Sequence, residues 1–215
     1  MQKRRLKIPV PPYAPDGYQI EVAQSHWEKL AARDINQLCN LAFFEPLGEG
    51  CLKFRFLNRD VALDLSRRCL MKWRQDHWEK DSDPLLELAT VIYASNVNAI
   101  YPLGQDIVGI KDLKESHFFA GPHELRLTPL LQRFANDLAG FRKAAEALGG
   151  NPMEMADVAY RLMPYPRLPL YYLLWQGDEE FKPRIQVLFD RSIEQILPAD
   201  AIWGLVNRVT LAFLN

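Results

Sequence analysis

Nowhere in the chain do eighteen apolar residues run together, so a membrane-spanning helix is not expected. The basic start at Lys3, Arg4, Arg5 and Lys7 gives way to Ile8-Pro-Val-Pro-Pro, without the apolar stretch of a secretory signal. Cysteine is scarce: Cys39, Cys51 and Cys69 are odd in number, widely spaced and never two residues apart, a pattern that fits reduced, buried thiols better than zinc or iron–sulfur ligation. The default location is the cytoplasm. Charge of one sign is also missing, since 26 basic and 27 acidic side chains leave a net −1. No overall positive field exists to attract a phosphate backbone, and neither nucleic acid nor membrane is an expected partner. Nucleotide-loop motifs of the GxxxxGK and GxGxxG types are absent, as are GxSxG and SxxK serines, so the residues name no reaction.

What is present is an ordinary globular balance. Of the 215 residues, 48% are hydrophobic and 25% charged, which supports a real core. Five proline and glycine positions between Pro9 and Gly17 resist helix and suit an extended arm, so residues 1–24 are read as a proline-rich arm and 25–215 as one domain. Ser25-His-Trp-Glu28 has the form of a capping box, after which Trp27, Ala31, Ile35, Leu38 and Ala42 recur at helical spacing. The period then changes to two. Cys51–Leu57 and Val61–Leu65 straddle Asn58-Arg-Asp60 and predict a hairpin.

Asp83-Pro84 predicts a capped helix with Leu85, Leu88, Ala89, Ile92, Asn96 and Ala99 on its face, ending before Pro102. Thr128-Pro129 starts a second, with one stripe from Leu131 to Leu148 stopped by Gly149-Gly150; Pro198-Ala-Asp200 starts a third. Helices and short strands mix without a strand–helix–strand rhythm. The expected fold is α+β, a single domain of mixed helices with a small, largely antiparallel sheet.

Two segments stand out as candidate sites. Leu168 to Trp175 is apolar on both alternating faces, as a strand covered on both sides requires, and Ile185–Phe189 is its natural partner. The connection between them carries Asp178, Glu179 and Glu180, three carboxylates that call for water, for a latch through Arg167, Lys182 or Arg184, or for a ligand or cation. The second segment places His117 and His123 on either side of Gly121-Pro122, with Glu124 next to the latter. A ligand pocket walled by Tyr171, Tyr172 and Trp175 and fringed by the histidines and carboxylates is expected if the two segments meet. HELRL lacks the second histidine of a zinc helix, and no metal is assigned. His26 and His77 have no distinguishing partner, and Trp73 and Trp78 are read as core or edge aromatics.

His117-Phe-Phe-Ala-Gly-Pro-His-Glu-Leu, Leu148-Gly-Gly150 with Ala156-Asp157, Pro166-Arg-Leu-Pro-Leu, Leu174-Trp-Gln-Gly-Asp-Glu-Glu-Phe181 and Leu188-Phe-Asp190 together resemble a domain family of unknown function from anaerobic bacteria and archaea. The resemblance runs from about Trp27 to the C-terminus. Some members are fused to a cysteine-rich iron–sulfur module like that of corrinoid methyl-transfer proteins, a module whose cysteines this chain lacks. The convergent polar groups point to a small-molecule or cofactor-binding domain, and the resemblance ties it to anaerobic redox or one-carbon metabolism. The alternative is a noncatalytic accessory domain docking through its proline-rich arm on an iron–sulfur or corrinoid partner. It also groups Asp157, Arg167 and Asp190 with the acidic loop in one recurrent pattern, which reads as a structural charge network.

Overall fold

The computed structural model describes residues 22–48 and 50–215, and the proline-rich arm lies outside them up to residue 21. The described chain is an α+β domain with two antiparallel five-stranded sheets and six helices. No described helix is long and apolar enough to cross a membrane.

The N-terminal helical stripe is broken into α1 (Gln24–Ala31) and α2 (Ile35–Ala42). The break is chemical. Asp34 caps the second helix, its carboxylate accepting from Gln37 N at 2.7 Å, a choice that ends one helix to start another. The expected capping box is corrected: α1 follows Ala23 without a side-chain cap, Ser25 lies inside the first turn, and Glu28 accepts instead from Gln24 Nε2 at 2.8 Å.

The first sheet is a meander of β1 (Glu45–Gly48), β2 (Cys51–Phe56), β3 (Arg59–Asp64), β4 (Cys69–Arg74) and β5 (His77–Lys80). The expected hairpin is there, with a tighter two-residue turn, Leu57-Asn58, because Phe56 pairs with Arg59. Leu52, Phe54, Phe56, Val61, Leu63 and Leu70 form its buried face. A second two-residue turn, Gln75-Asp76, has positive φ at both residues (49° and 61°), as hairpin twist demands.

Helix α3 (Pro84–Asn96) starts as expected, with Asp83 accepting from Leu86 N at 3.0 Å. It is buried nearly all round rather than along the predicted face: Leu86, Thr90, Val91, Tyr93 and Ala94 are all enclosed, while Leu85 and Leu88 are only half-buried. The stripe from Leu131 to Leu148 is likewise two helices, α4 (Thr128–Phe134) and α5 (Leu138–Ala147), since Asp137 caps the second through Gly140 N at 2.7 Å.

The second sheet has the order β6-β10-β9-β8-β7, from β6 (Ile107–Val108), β7 (Asn151–Met153), β8 (Val158–Tyr165), β9 (Leu168–Trp175) and β10 (Arg184–Asp190). Strand β9 is its centre and is buried from Leu168 to Leu174, which explains its unbroken apolar run. One face meets α5 and α6 (Ala199–Leu214), where Tyr172 and Phe213 rings lie 4.9 Å apart; the other buries Ala159, Tyr171 and Leu173. An aromatic row joins the sheets: Phe54 and Phe56 of the first lie 5.8 and 5.6 Å from Tyr165 of the second.

Candidate functional site

The acidic connection Gln176–Pro183 projects from the β9–β10 hairpin, in which Arg184 pairs with Trp175. Asp178 folds it into a tight turn by accepting from Glu180 N and Phe181 N at 2.9 and 2.7 Å. Glu179 and Glu180 are exposed, and among the described residues none of the three carboxylates has an ion-pair partner. Two of the three cations expected for a latch are engaged elsewhere, and exposed Lys182 makes no ion pair among the described residues. Arg184 lies over the Trp175 ring at 4.0 Å, and Arg167 bonds Tyr101 O and covers Phe43 at 5.1 Å.

Tyr171 and Tyr172 point to opposite faces of the sheet and both are buried, Tyr172 donating to Val206 O at 3.3 Å; a half-exposed Trp175 alone stands near the loop. His117 and His123 occupy successive 3-10 turns and are exposed. The His123 ring stacks on Phe118 at 4.3 Å and meets the edge of Trp203 at 6.0 Å, while Glu124 offers its carbonyl to Trp203 Nε1. No hydrogen bond, ion pair or ring contact among the described residues joins the histidine turns to the acidic loop. Nor do three or more His, Cys, Asp or Glu there form a group that would hold a metal.

Asp157, Arg167 and Asp190 make no ion pair with one another. Each serves the main chain: Asp157 accepts from Gln176 N at 2.8 Å, and Asp190, 3% exposed, accepts from Gly104 N and Ser192 N at 2.6 and 3.0 Å.

Among the described residues, three open clefts border the first sheet. One, of about 580 Å³, is lined at the seam between the sheets by Phe43, Lys53, Arg55, Asn58, Asp60 and Met163, among others. A second, of about 450 Å³, wraps the end of the sheet, taking Arg55, Asp60 and Trp73 from one face and Arg59, Lys72 and Arg74 from the other. Arg55, Asn58 and Asp60 line both. Each of these two carries an exposed aromatic: Phe43 is 50% and Trp73 47% exposed. Asp60 is shared by Lys53 and Arg55 at 3.5 and 3.9 Å, and Glu79 by Lys72 and Arg74 at 3.5 and 3.8 Å.

The hairpin between the clefts is held under conformational tension. Leu57 sits at φ 53°, a costly conformation for a leucine, and its N–H bonds Pro164 O at 3.3 Å. Asn58 accepts from Arg55 at 2.6 Å and donates to Ala147 O at 3.2 Å.

The model of a domain of unknown function, DUF3786, matches residues 34–212. The chain belongs to this family. No curated protein and no solved structure matches it. In this DUF3786 domain the segments from Leu148 onward that carry the resemblance build or flank the second sheet; the larger cleft takes Gly149 and Pro166 from them, while the smaller one lies on the first sheet.

Sequence reasoning passed over the cleft residues because Lys72-Trp73-Arg74 lacked a strand assignment. The usable signal was basic and aromatic residues interleaved at period two, in Lys53-Phe-Arg55 and again in Lys72-Trp-Arg74. A third cleft of the DUF3786 domain, about 690 Å³, lies farther along the sheet over Cys51, Asp64 and Met71. Cys51 and Cys69 flank Asp64 on adjacent strands, and burial, followed for Cys51 by the Asp64 charge, pushes both thiols up. They are held protonated, the opposite of an activated nucleophile.

Proposed function

We propose that the chain is a cytoplasmic binding domain for a small anionic molecule or cofactor, held in the two clefts that meet at Arg55, Asn58 and Asp60. One observation carries this reading: two adjoining clefts share three polar side chains, and each ends on an exposed aromatic. Apolar surface with a few convergent polar groups is the physical signature of a ligand site. The smaller cleft sets Arg55, Arg59, Lys72 and Arg74 against Asp60 and the neighbouring Glu79, and this excess sets the sign of the ligand, whereas in the larger cleft Lys53 and Arg55 are balanced by Glu45 and Asp60.

A ligand that binds only the folded chain raises its melting temperature, by about 2.7 kcal/mol of stability at a hundredfold excess over Kd. Citrate, inorganic phosphate and pyrophosphate are the probes. The expected result is a concentration-dependent rise with at least one of them, lost in Arg55→Ala and Arg74→Ala. A melting temperature indifferent to all three at millimolar concentration refutes the reading.

A second reading is an accessory domain that docks on the iron–sulfur or methyl-transfer partner implied by the family resemblance. The observation favouring it is Phe181, 69% exposed beside Asp178 and Glu180 at the tip of the β9–β10 loop. Its test is binding to a purified corrinoid iron–sulfur protein, with Phe181→Ser expected to abolish it; equal binding by the variant counts against it.

A further inference from the structure

Resting on the anionic-ligand reading, we propose that the ligand is a nucleoside phosphate, with its base on Trp73 and its phosphates among Arg55, Arg59 and Arg74.

Charge decides the acidic part. The smaller cleft is lined by four cations, Arg55, Arg59, Lys72 and Arg74, against Asp60, which is divided between Lys53 and Arg55 at 3.5 and 3.9 Å, while the adjacent Glu79 is divided between Lys72 and Arg74 at 3.5 and 3.8 Å. Arg59 has no ion-pair partner among the described residues and instead lies over the Phe56 ring at 5.8 Å, which Arg208 also approaches at 5.9 Å. A single carboxylate would leave part of this excess uncompensated, whereas a phosphate or diphosphate carries enough charge to meet it. Guanidinium forks suit tetrahedral phosphate oxygens, and three of the four cations lining the smaller cleft are arginines. Burial first and then the Arg208 charge push the Arg59 guanidinium below its ordinary value, with the Asp81 and Asp83 charges acting the other way.

Trp73 decides the planar part. It pairs across strands with Trp78, whose ring meets it edge-on at 5.2 Å and 68°, bracing one side. The exposed remainder is a flat, rigid surface of the kind on which bases stack irrespective of identity. Spacing agrees with this assignment. Arg55 on β2 and Trp73 on β4 are two strands apart, a lateral separation of about 10 Å at ordinary strand spacing. That separation is comparable to the reach from a nucleobase to its outer phosphate. The cleft volume of about 450 Å³ falls within the usual range for such ligands.

Isothermal titration calorimetry of the full chain in low salt tests the proposal, with ADP, GDP and UDP set against pyrophosphate, adenosine and citrate. At least one nucleoside diphosphate is expected to bind tenfold or more tightly than pyrophosphate or adenosine. Trp73→Leu should erase that advantage while leaving pyrophosphate affinity intact, Trp73→Phe should retain most of it, and Arg55→Ala or Arg74→Ala should weaken both ligands at least tenfold. Far-UV circular dichroism checks that each variant is folded. Should pyrophosphate or citrate bind with no gain from the base, the nucleoside assignment falls while the anionic site stands. Absence of binding by every probe overturns both. Tighter binding of a single-stranded oligonucleotide than of any mononucleotide overturns the small-molecule assignment.

Discussion

Tyr93 of α3 and Tyr165 at the end of β8 stack face to face, with ring centroids 4.4 Å apart and planes within 9° of parallel. The pair ties the long helix to the second sheet, while Phe54 and Phe56 bring the first sheet onto the same ring. The Tyr165 hydroxyl shares a hydrogen bond with Thr90 Oγ1 at 2.9 Å, and Thr90 itself donates to Leu86 O at 2.8 Å.

Tyr165→Phe keeps the stack and removes the hydroxyl, so a loss of about 0.5–1.5 kcal/mol is expected from urea denaturation. Tyr165→Ala removes the ring on which three elements converge and should cost about 3–5 kcal/mol. Equal losses in the two variants would show that the stack carries no weight.

Glu87 supplies a pH signature. Burial, reinforced by Asp81 and opposed by the Leu70 N–H and Lys80, holds its carboxyl above the ordinary 4.5. The folded state therefore binds its proton more tightly than the unfolded state, and this contribution to stability falls as pH rises from 4.5 through the raised value. Glu87→Gln should unfold at higher urea than the wild type at about pH 7, the gap closing toward about pH 4. A gap that widens on acidification would reverse the sign.

Asp190 and the acidic loop differ in kind. Asp190→Ala removes a buried carboxylate and with it the part-buried bonds from Gly104 and Ser192 N–H, for a loss of about 1–3 kcal/mol. Glu179→Gln with Glu180→Gln touches only exposed side chains and should stay within about 0.5 kcal/mol. Thermal denaturation of the two variants side by side separates an internal anchor from a solvated tip.

Arg167→Met removes the bond to Tyr101 O and the cation over Phe43, and a loss of about 1–2 kcal/mol is expected. The midpoint should also lose part of its salt sensitivity only weakly, since no carboxylate partner is involved. A large salt-dependent loss would point to an ion pair and contradict this geometry.

The sequence was most legible where local chemistry and burial agree. Asp83-Pro84 starts α3 as read, the run from Leu168 to Trp175 is the sheet centre, and Gly149, at φ 79°, follows the end of α5. It misled where a polar cap interrupts an apolar stripe: Asp34 and Asp137 each begin a new helix inside what reads as one period. It misled again at α3, because a helix enclosed on every side has no distinct face to find. Strands β4 and β5 stayed hidden because Trp73 and Trp78 face outward, while Lys72 and Arg74 lie on the side that elsewhere forms the core. The candidate site shares this obscurity, being assembled by cross-strand register in the first sheet and by packing at the seam between the sheets from residues as far apart as Phe43 and Met163.

The tip of the β2–β3 hairpin is moored twice to the C-terminal half, through Leu57 to Pro164 and through Asn58 to Ala147. Prising either cleft open thus strains the joint that unites the two halves of the molecule. Occupancy and cohesion become one mechanical quantity, so a guest lodged beside that tip should protect the amide protons of Leu57 and Asn58 from solvent exchange while leaving those of the β9–β10 loop unchanged.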